Sequence, residues 1–299
     1  EPSTFPPVSA AISITTLPGF MPDTNSFGTI TGVSNAANDV IAGGLVGDNA
    51  GPISQSKADV DVTVSDANST AIGGLVGRNS DDIRDAYAIG DVTEQNNLSV
   101  AIGGLVGLAD DDNSRLTNTF AAGDVDAMVT EANFIGGLVG LSIGPVVDSF
   151  WDTDTSGQLS SDGGTGLTTA ELQNLDGFRA LSGWNFETVW APSTPGFYPA
   201  LYAVDPVVFA DPDNVVVDYG TADSADFTGS VVGGPDLYAF GPVGDTLDTS
   251  DIFAAQGLGR GDVGLYTVLG EGPVTSELGI DYRVVSDEGA LRVIPIALL

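Results

Sequence analysis

The pentapeptide Gly-Gly-Leu-Val-Gly occurs four times in this chain, at Gly43–Gly47, Gly73–Gly77, Gly103–Gly107 and Gly136–Gly140. The successive spacings are 30, 30 and 33 residues. Self-similarity at a fixed period of this size is the signature of a repeat protein, in which each unit packs on its neighbours. The pentapeptide therefore decides the fold class before any single strand or helix is considered.

Other positions recur in step with the pentapeptide. An aliphatic residue follows ten positions after its first glycine, provided that Asp111–Asn113 counts as an insertion; this column is Ile53, Ile83, Leu116 and Val146. A second column stands sixteen residues before each pentapeptide, and it has one further member at the matching place after the last pentapeptide. Its members are Phe27, Lys57, Tyr87, Phe120 and Phe150. An Asp-Val pair then recurs at Asp61, Asp91 and Asp124. Because Phe27 stands in this pattern, we expect a degenerate rung before the first pentapeptide.

Each repeat offers three short apolar segments between polar turns, for example Ala101–Val106, Arg115–Phe120 and Gly123–Val129. Runs of this length bounded by turn residues are typical of strands. One repeat cannot bury its own apolar face, but coils stacked about 4.8 Å apart form a continuous core. We therefore predict an all-β fold in which the repeats build a parallel β-solenoid.

The paired glycines have a structural task in such a solenoid. We expect them to adopt positive φ or to lie where a Cβ would collide with the next coil. The leucines should then stack inward in file, at Leu45, Leu75, Leu105 and Leu138, and the valines should face the other side, at Val46, Val76, Val106 and Val139. A glycine-rich phosphate loop needs a helix directly behind it and usually a lysine, and neither follows the pentapeptides.

With its flanking residues, the pattern resembles the GLUG repeat of large bacterial surface proteins, whose glycine core is followed by an Asn-Ser-Tyr-Ala-like stretch and Gly-x-Val. The matching stretches are Asp85–Val92 and Asn118–Val125. The first copy departs from the pattern, with Lys57 for the aromatic residue and Val60 for the glycine, so we expect a less regular rung there. The resemblance covers about residues 27–202.

The composition limits the partners and the chemistry. The 299 residues include 8 basic and 41 acidic side chains, and the net charge of −33 argues against binding to nucleic acid or to an anionic membrane. A saline habitat or calcium binding would each explain this balance. Cysteine and histidine are absent, which excludes disulfides, the usual zinc sites and Ser-His-Asp or Cys-His catalysis. No run of 18 apolar residues exists, so we expect no membrane insertion.

Residues 1–26 are predicted to be an N-terminal strand or cap of the solenoid, and residues 27–150 its repeats. The chain starts at Glu1 without a signal-peptide pattern, and we expect it to be a processed or excised part of a longer protein. Residues 151–204 are predicted to close the C-terminal end of the solenoid. Residues 205–299 are predicted to form a separate module.

The run Trp151–Gly157 is similar to the first half of an EF-hand loop. Asp152, Asp154 and Ser156 place oxygen atoms at positions 1, 3 and 5, and glycine stands at position 6. Gly163 stands where the closing glutamate would be. The two interpretations are a calcium site with these three ligands and an Asx-rich turn that leaves the last coil. The run also resembles the segment that comes directly after the last GLUG repeat of an array.

The sequence Thr168–Glu171 matches a capping box, and the apolar spacing after it predicts a short capping helix over residues 169–181. An aromatic cluster comes next, with Trp184 and Trp190 and then Phe197–Leu201. Such a cluster either stacks on carbohydrate or plugs the end of a solenoid. The sequence of this cluster resembles the segment that closes GLUG arrays.

The last ninety or so residues contain short strand patterns without a helical period, which indicates a small all-β module. The predicted strands are Val215–Tyr219, Tyr238–Phe240, Gly264–Leu269, Tyr282–Ser286 and Ala290–Ile294. Asp218–Thr221, Asp262–Val268 and Asp281–Val284 before Gly289–Val293 resemble, in this order, the MBG family of bacterial Ig-like repeats. This resemblance implies a spacer module of the kind that occurs in tandem in large adhesins.

Together these features predict a non-enzymatic structural or adhesive segment of a secreted or cell-surface bacterial protein, which serves as a rigid stalk or a binding surface. Its expected partners are a host or neighbouring-cell surface, a glycan or matrix, or copies of itself. Two alternatives stay open: a self-assembling extracellular filament, and a polysaccharide lyase or glycosidase on a β-helix. A lyase commonly needs cationic groups, and the repeats contain Lys57, Arg78, Arg84 and Arg115, which are not clustered in sequence.

Overall fold

The computed structural model describes residues 21–22, 25–33, 39–65, 68–95, 101–128, 134–222, 225–258, 261–271 and 274–296. Contacts divide the chain into two units, one running up to Leu172 with Ala180–Trp184, the other comprising Gln173–Arg179 and Asn185–Leu299. The predicted N-terminal cap lies outside the described residues except at 21–22 and 25–26. The domain ranges predicted from the sequence stay predictions.

The elements of the first unit are short strands with two short helices. In chain order they are β1 Met21–Pro22, β2 Asn25–Val33, β3 Asp39–Gly43, β4 Val46–Asn49, β5 Ile53–Ser65, β6 Asn68–Gly73, β7 Val76–Asn79, β8 Ile83–Ala88, β9 Val92–Glu94, β10 Ala101–Gly103, β11 Val106–Ala109, β12 Leu116–Ala121, β13 Val125–Ala127, β14 Phe134–Gly136, β15 Val139–Ser142, β16 Val146–Val147, β17 Phe150–Asp152, α1 Thr153–Ser156, β18 Thr165–Leu167 and α2 Thr169–Leu172.

Strands of successive coils pair side by side in three sheets. The first sheet has the order β13-β9-β5-β8-β12-β17-β18, with β1 and β2 also on β5 and β16 on β12; the second is β14-β10-β6-β3, and the third is β15-β11-β7-β4. Every pairing described within these sheets is parallel. The result is a β-solenoid of about three turns, which confirms the predicted fold of the repeats.

The register of these pairings confirms the columns seen in the sequence. Gly73 lies between Gly43 and Gly103, and Phe120 lies between Tyr87 and Phe150. Leu116 pairs with Ile83 and Val146, so Asp111–Asn113 is an insertion. The insertion forms a turn in which the Asn113 amide and the Ser114 amide both donate to Asp111. Three extra residues therefore leave the stack undisturbed.

The chain turns a corner inside each pentapeptide, at its second and third residues. The predicted strand Ala101–Val106 is interrupted there, because β10 ends at Gly103 and β11 begins at Val106. Leu105 and Val106 are both fully buried in the same core cluster. The leucines stack inward as predicted, but the expectation that the valines face the other side is wrong, since a bend between strands breaks the alternation of side chains.

Close approach, and not positive φ, explains the pentapeptide glycines. None of them has a positive φ. A Cβ added at Gly74 would lie 2.1 Å from the carbonyl oxygen of Gly104 in the next coil, and one added at Gly77 would lie 2.7 Å from the Ala42 oxygen. Backbone thus occupies the space that a side chain would need.

A column of left-handed residues bends the first sheet once per coil. Its members and their φ angles are Gln55 (45°), Asp85 (50°), Asn118 (54°) and Asp148 (46°). Asn and Asp tolerate this conformation better than other non-glycine residues because their short side chains bond locally. The Asn118 amide also donates to the Asp85 carboxylate at 3.1 Å, which ties neighbouring coils together.

In the first complete coil the first sheet is continuous at the position where the next coil has a glycine. Strand β5 runs unbroken through Val60, while the next coil breaks between β8 and β9 at Gly90. The Lys57 ammonium lies 5.8 Å from the centroid of the Tyr87 ring, which stacks on Phe120 at 4.7 Å. A cation over an aromatic face is a favourable replacement for a further ring.

Phe27 does not stand in the aromatic column, contrary to the sequence-based expectation. Asn25 pairs with Lys57, and Phe27 pairs with Asp59. Val33 pairs with Ser65, and Ile41 pairs with Ala71. The connection from Val33 to Ile41 is therefore two residues longer than the connection from Ser65 to Ala71. Counting back from the pentapeptide therefore lands two residues too late. The rung itself is present, because β2 pairs with β5 along its whole length.

The C-terminal end of the solenoid is closed by side chains and by loop backbone. The Trp151 indole packs on Gly137 so closely that a Cβ added at Gly137 would lie 2.0 Å from the Cδ1 of Trp151. The Ser161 hydroxyl accepts the Val139 N–H at 2.8 Å, and the Gly137 N–H donates to Ser160 at 3.1 Å. The Asp162 carboxylate accepts the Ser142 N–H at 2.7 Å. The last coil thus finds partners for strand-edge amides within its own chain.

The capping box is present, but the predicted helix is split in two. Thr168 accepts the Glu171 N–H, and the Glu171 carboxylate accepts the Thr168 N–H at 2.8 Å, which lowers the pKa of Glu171. Helix α2 ends at Leu172, and α3 spans Leu175–Ser182. The Asn174 side chain accepts the Gly177 N–H at 2.7 Å and so starts a new helix inside the predicted one.

The described part of the second unit is built mainly from short strands. Its elements are β19 Trp190–Ala191, β20 Ala200–Leu201, β21 Val207–Pro212, β22 Val215–Asp218, β23 Gly229–Gly233, the 3-10 helix Gly234–Asp236, β24 Phe253–Ala255, β25 Gly264–Gly270, β26 Val274–Thr275, β27 Asp281–Ser286 and β28 Gly289–Ile294. They form the antiparallel pair β19-β20 and two sheets, β23-β21-β27-β26 and β22-β28-β25-β24. An all-β second unit was predicted, and four of the five predicted strands are found.

Tyr238–Phe240 is not a strand, so that prediction is wrong. Gly233 and Gly234 have φ angles of 96° and 74°, and the 3-10 helix that follows turns the chain. Each sheet also contains one parallel pair, β21 with β27 and β22 with β28. Antibody-type Ig sheets are antiparallel. The MBG-type, Ig-like description therefore stays a prediction.

Candidate functional site

Asp152 holds together the segment that leaves the last coil. Its side chain is fully buried. One carboxylate oxygen accepts the N–H groups of Asp154 (2.9 Å) and Thr155 (3.2 Å), which makes Asp152 the N-cap of α1. The other oxygen accepts the Thr169 hydroxyl at 2.7 Å. Asp152 thus joins α1 to α2 by satisfying helix-end donors.

The other two candidate calcium ligands also have protein partners. The Asp154 carboxylate accepts the Thr169 N–H at 3.0 Å, and the buried Ser156 hydroxyl accepts the Gln158 N–H at 3.2 Å. Gly157 ends α1 with a φ of 65°. Across the described parts of the chain, no group of three or more acidic, His or Cys side chains could hold a metal. The contacts show that these residues cap and connect the short helices. A calcium ion at Asp152, Asp154 and Ser156 stays a prediction.

The tryptophans of the aromatic cluster are buried. Trp184 is 5% exposed and Trp190 is fully buried, so neither offers an open face to a sugar ring. The Trp184 ring lies 6.3 Å from Phe120 and 5.9 Å from Phe150, and its indole N–H donates to the Asp148 carbonyl at 2.8 Å. Trp184 therefore extends the aromatic column at the end of the solenoid, as the plug interpretation predicts.

An aspartate ladder runs along the outer face of the first sheet. The Asp61 carboxylate accepts the Asp91 N–H at 3.0 Å, and the Asp91 carboxylate accepts the Asp124 N–H at 2.9 Å. All three residues are exposed. Burial, and after it the charges of Asp91 and Asp126, raise the pKa of Asp124. The sequence showed this column, but not that the carboxylates of Asp61 and Asp91 each accept a backbone N–H of the next coil.

The basic residues of the repeats enter separate contacts. Lys57 lies over Tyr87, and the Arg78 guanidinium binds Asp110 of the next coil at 2.7 Å. Arg115 donates to Thr117, the residue that pairs with Arg84. Arg115 also lines an open groove of about 470 Å³ together with Asp81, Asp82 and Asp112. In this groove a cation and several carboxylates meet.

The geometry of the second coil can be compared with known families. The model of the GLUG motif matches residues 68–93. The match spans β6 to β9 and includes the second pentapeptide and the left-handed Asp85. No curated protein and no solved structure matches the chain. Within the described residues, no helix has the length and apolar character needed to cross a membrane.

The left-handed column has a counterpart in the GLUG motif. The Asn of its Asn-Ser-Tyr-Ala-like stretch corresponds to the left-handed column, which Asp85, Asn118 and Asp148 occupy. The recurrence of Asn or Asp at one repeat position was the available signal, since these residue types favour φ > 0. A GLUG motif in a β-solenoid is compatible with a structural extracellular role.

Proposed function

We propose that this chain is a non-enzymatic structural segment of a secreted or surface-anchored bacterial protein, in which it acts as a rigid stalk or as a surface for adhesion. The observation that supports the proposal most is the use of the repeated residues. The glycine, leucine, aromatic and left-handed columns all serve the stacking of coils, as the register and burial show. Repeated residues that serve stacking give the solenoid its length and its stiffness.

The closed C-terminal end favours a discrete segment over an end-to-end filament. A filament of stacked coils needs free strand edges at both ends. The amides of Gly137, Val139 and Ser142 are already bonded to residues of the closing loop. Sizing at increasing protein concentration tests this point, and we expect one concentration-independent species. The predicted MBG-type spacer in the second unit agrees with the proposed stalk.

Adhesion is tested by coating beads with the purified chain and measuring their retention on surfaces that carry glycans, matrix proteins or the chain itself. We expect saturable retention on at least one of these surfaces, with loss after thermal unfolding of the coated protein. Retention that is equal on bare and coated surfaces would contradict an adhesive role. The stalk role does not depend on this result.

The enzymatic alternative is tested at the groove lined by Arg115. Acidic polysaccharides are incubated with the chain, and unsaturated uronate and new reducing ends are measured. We expect no release above that of a heat-unfolded control. Release that Arg115→Gln abolishes, while Arg84→Gln retains it, would overturn the non-enzymatic proposal and locate the activity.

A further inference from the structure

Asp245 in the second unit is a buried carboxylate whose two oxygens are used unequally. The residue is 8% exposed. Its Oδ1 accepts the N–H groups of Thr246 (2.9 Å) and Leu278 (3.0 Å). Its Oδ2 is buried and has no hydrogen-bond partner within the described parts of the chain. One side of this carboxylate therefore has no donor in hydrogen-bonding geometry, although the Ser276 hydroxyl is close enough to lower the pKa of the group.

The charge of Asp245 also lacks a counter-charge among the residues that the structure describes. Burial raises the pKa of Asp245, but the Ser276 hydroxyl and the N–H groups of Leu278 and Thr246 lower it and prevail, so the group is ionised at neutral pH. Among the described residues, Asp245 enters no ion pair, whereas Arg78 binds Asp48 and Asp110, and Arg179 binds Asp287. Buried charges are normally paired or bound to a metal ion.

Asp245 lines a cleft of about 300 Å³, and Asp236, Thr246 and Thr249 share its wall. The cleft lies between the 3-10 helix Gly234–Asp236 and the segment 245–249. Its polar side chains offer carboxylate and hydroxyl oxygens, without nitrogen or sulfur. Oxygen-only ligands suit calcium and magnesium rather than zinc or copper.

We propose that Asp245 and Asp236 form a binding site for a divalent cation of the calcium type. Two carboxylates are few for calcium, so the ion keeps several water molecules, and the expected dissociation constant is on the order of 10⁻³ M, as in extracellular calcium modules. The site goes beyond the proposed structural role. It is also separate in sequence from the candidate ligands Asp152, Asp154 and Ser156.

The test combines terbium luminescence with calorimetry on the full chain. Terbium replaces calcium at oxygen sites and is excited through nearby aromatic rings. Tyr282 is close enough for Asp245 to contribute, after burial, to its raised pKa. We expect saturable luminescence that calcium displaces, and a rise of about 5 °C in the melting temperature of the second unit at roughly tenfold excess of calcium over the dissociation constant.

Three variants assign the signal. Asp245→Asn keeps the Oδ1 acceptor but removes the charge, and we expect at least a tenfold loss of affinity. Asp236→Asn alters an exposed side chain, and we expect weaker binding with an unchanged melting temperature without metal. Asp152→Asn is the control, and both signals of the second unit should stay as in the parent chain. Sodium chloride at matched ionic strength controls for screening of the net charge of −33.

The proposal is overturned if Asp245→Asn responds to calcium and terbium like the parent chain. It is equally overturned if sodium chloride produces the same rise in melting temperature, or if Asp152→Asn alone abolishes the response. Should Asp245→Asn fail to fold, Asp236→Asn decides the question, since unchanged binding in that variant contradicts the site.

Discussion

A methyl group at Gly74 would separate two coils of the solenoid. The Cβ of Gly74→Ala would lie 2.1 Å from the Gly104 oxygen and 3.0 Å from the Ala88 Cβ. Since real Cβ atoms essentially never approach other atoms within 3.0 Å, the two coils must move apart by about 0.9 Å at this corner. The clash is with backbone, which cannot rotate away.

The energetic cost follows from the hydrogen bonds at the same corner. The N–H groups of Gly74, Leu75 and Val76 donate to the next coil at 3.3, 2.9 and 3.0 Å. A displacement of about 0.9 Å takes all three beyond the range of a hydrogen bond. Each bond contributes about 1 kcal/mol net, so we expect Gly74→Ala to lower the free energy of unfolding by about 3 kcal/mol.

Urea unfolding followed by tryptophan fluorescence, to which Trp151 and Trp184 of the first unit contribute, measures this loss, and Gly47→Ala is the matched control. Its Cβ would lie 3.1 Å from the Ile41 oxygen, and the next nearest atom is 3.9 Å away, so we expect a loss below about 1 kcal/mol. Adding Ala88→Gly to Gly74→Ala should restore nothing, because it leaves the backbone clash in place. Equal stability of the two alanine variants, or recovery in the double variant, would refute the stacking argument.

Three further predictions concern single columns. Leu105→Ala should cost about 2–5 kcal/mol in urea unfolding, and Leu45→Ala less, because Leu45 at the start of its column is 8% exposed and Leu105 is fully buried. Gln55→Asn should raise the melting temperature, since asparagine tolerates the φ of 45° better than glutamine does; a decrease would contradict the left-handed assignment. The stability that Asp124 contributes is present below its unfolded pKa of about 3.8 and is lost as the pH rises through its higher folded value, because burial and Asp91 disfavour the charged form. Asp124→Asn should therefore be more stable than the parent at neutral pH. The difference should vanish in acid and shrink in high salt, which screens the charges of Asp91 and Asp126 but not the cost of burial.

Much of the solenoid could be predicted from the sequence because its restraints are periodic. The pentapeptide sets the register, so Leu116 could be matched to Ile83 across an insertion before any strand was seen. Strand existence was easier to predict than side-chain direction. A bend between Gly104 and Val106 changes which side a residue faces without changing its hydrophobicity, and this misled the prediction for the valines.

The errors lie where the repeat is irregular or where a contact is not periodic. Phe27 was placed by counting back through a connection that is two residues longer than its equivalent. For Asp152 the sequence left two interpretations open, because an N-cap and a calcium loop begin with the same residue types; the contacts of its oxygens show the N-cap, and the calcium site stays a prediction. Asp245 was missed because burial of a lone aspartate leaves no pattern in the sequence.

The parallel stacking of coils has a mechanical consequence. Tension along the solenoid axis would load the rows of hydrogen bonds between coils one after another, so each coil would peel away in turn instead of sharing the load with all others. A released coil of 30 residues extends by about 100 Å. A tether made of this segment would lengthen in equal steps when it is pulled. It would absorb a sudden load gradually, whereas hydrogen bonds loaded in shear would all have to resist the same load together.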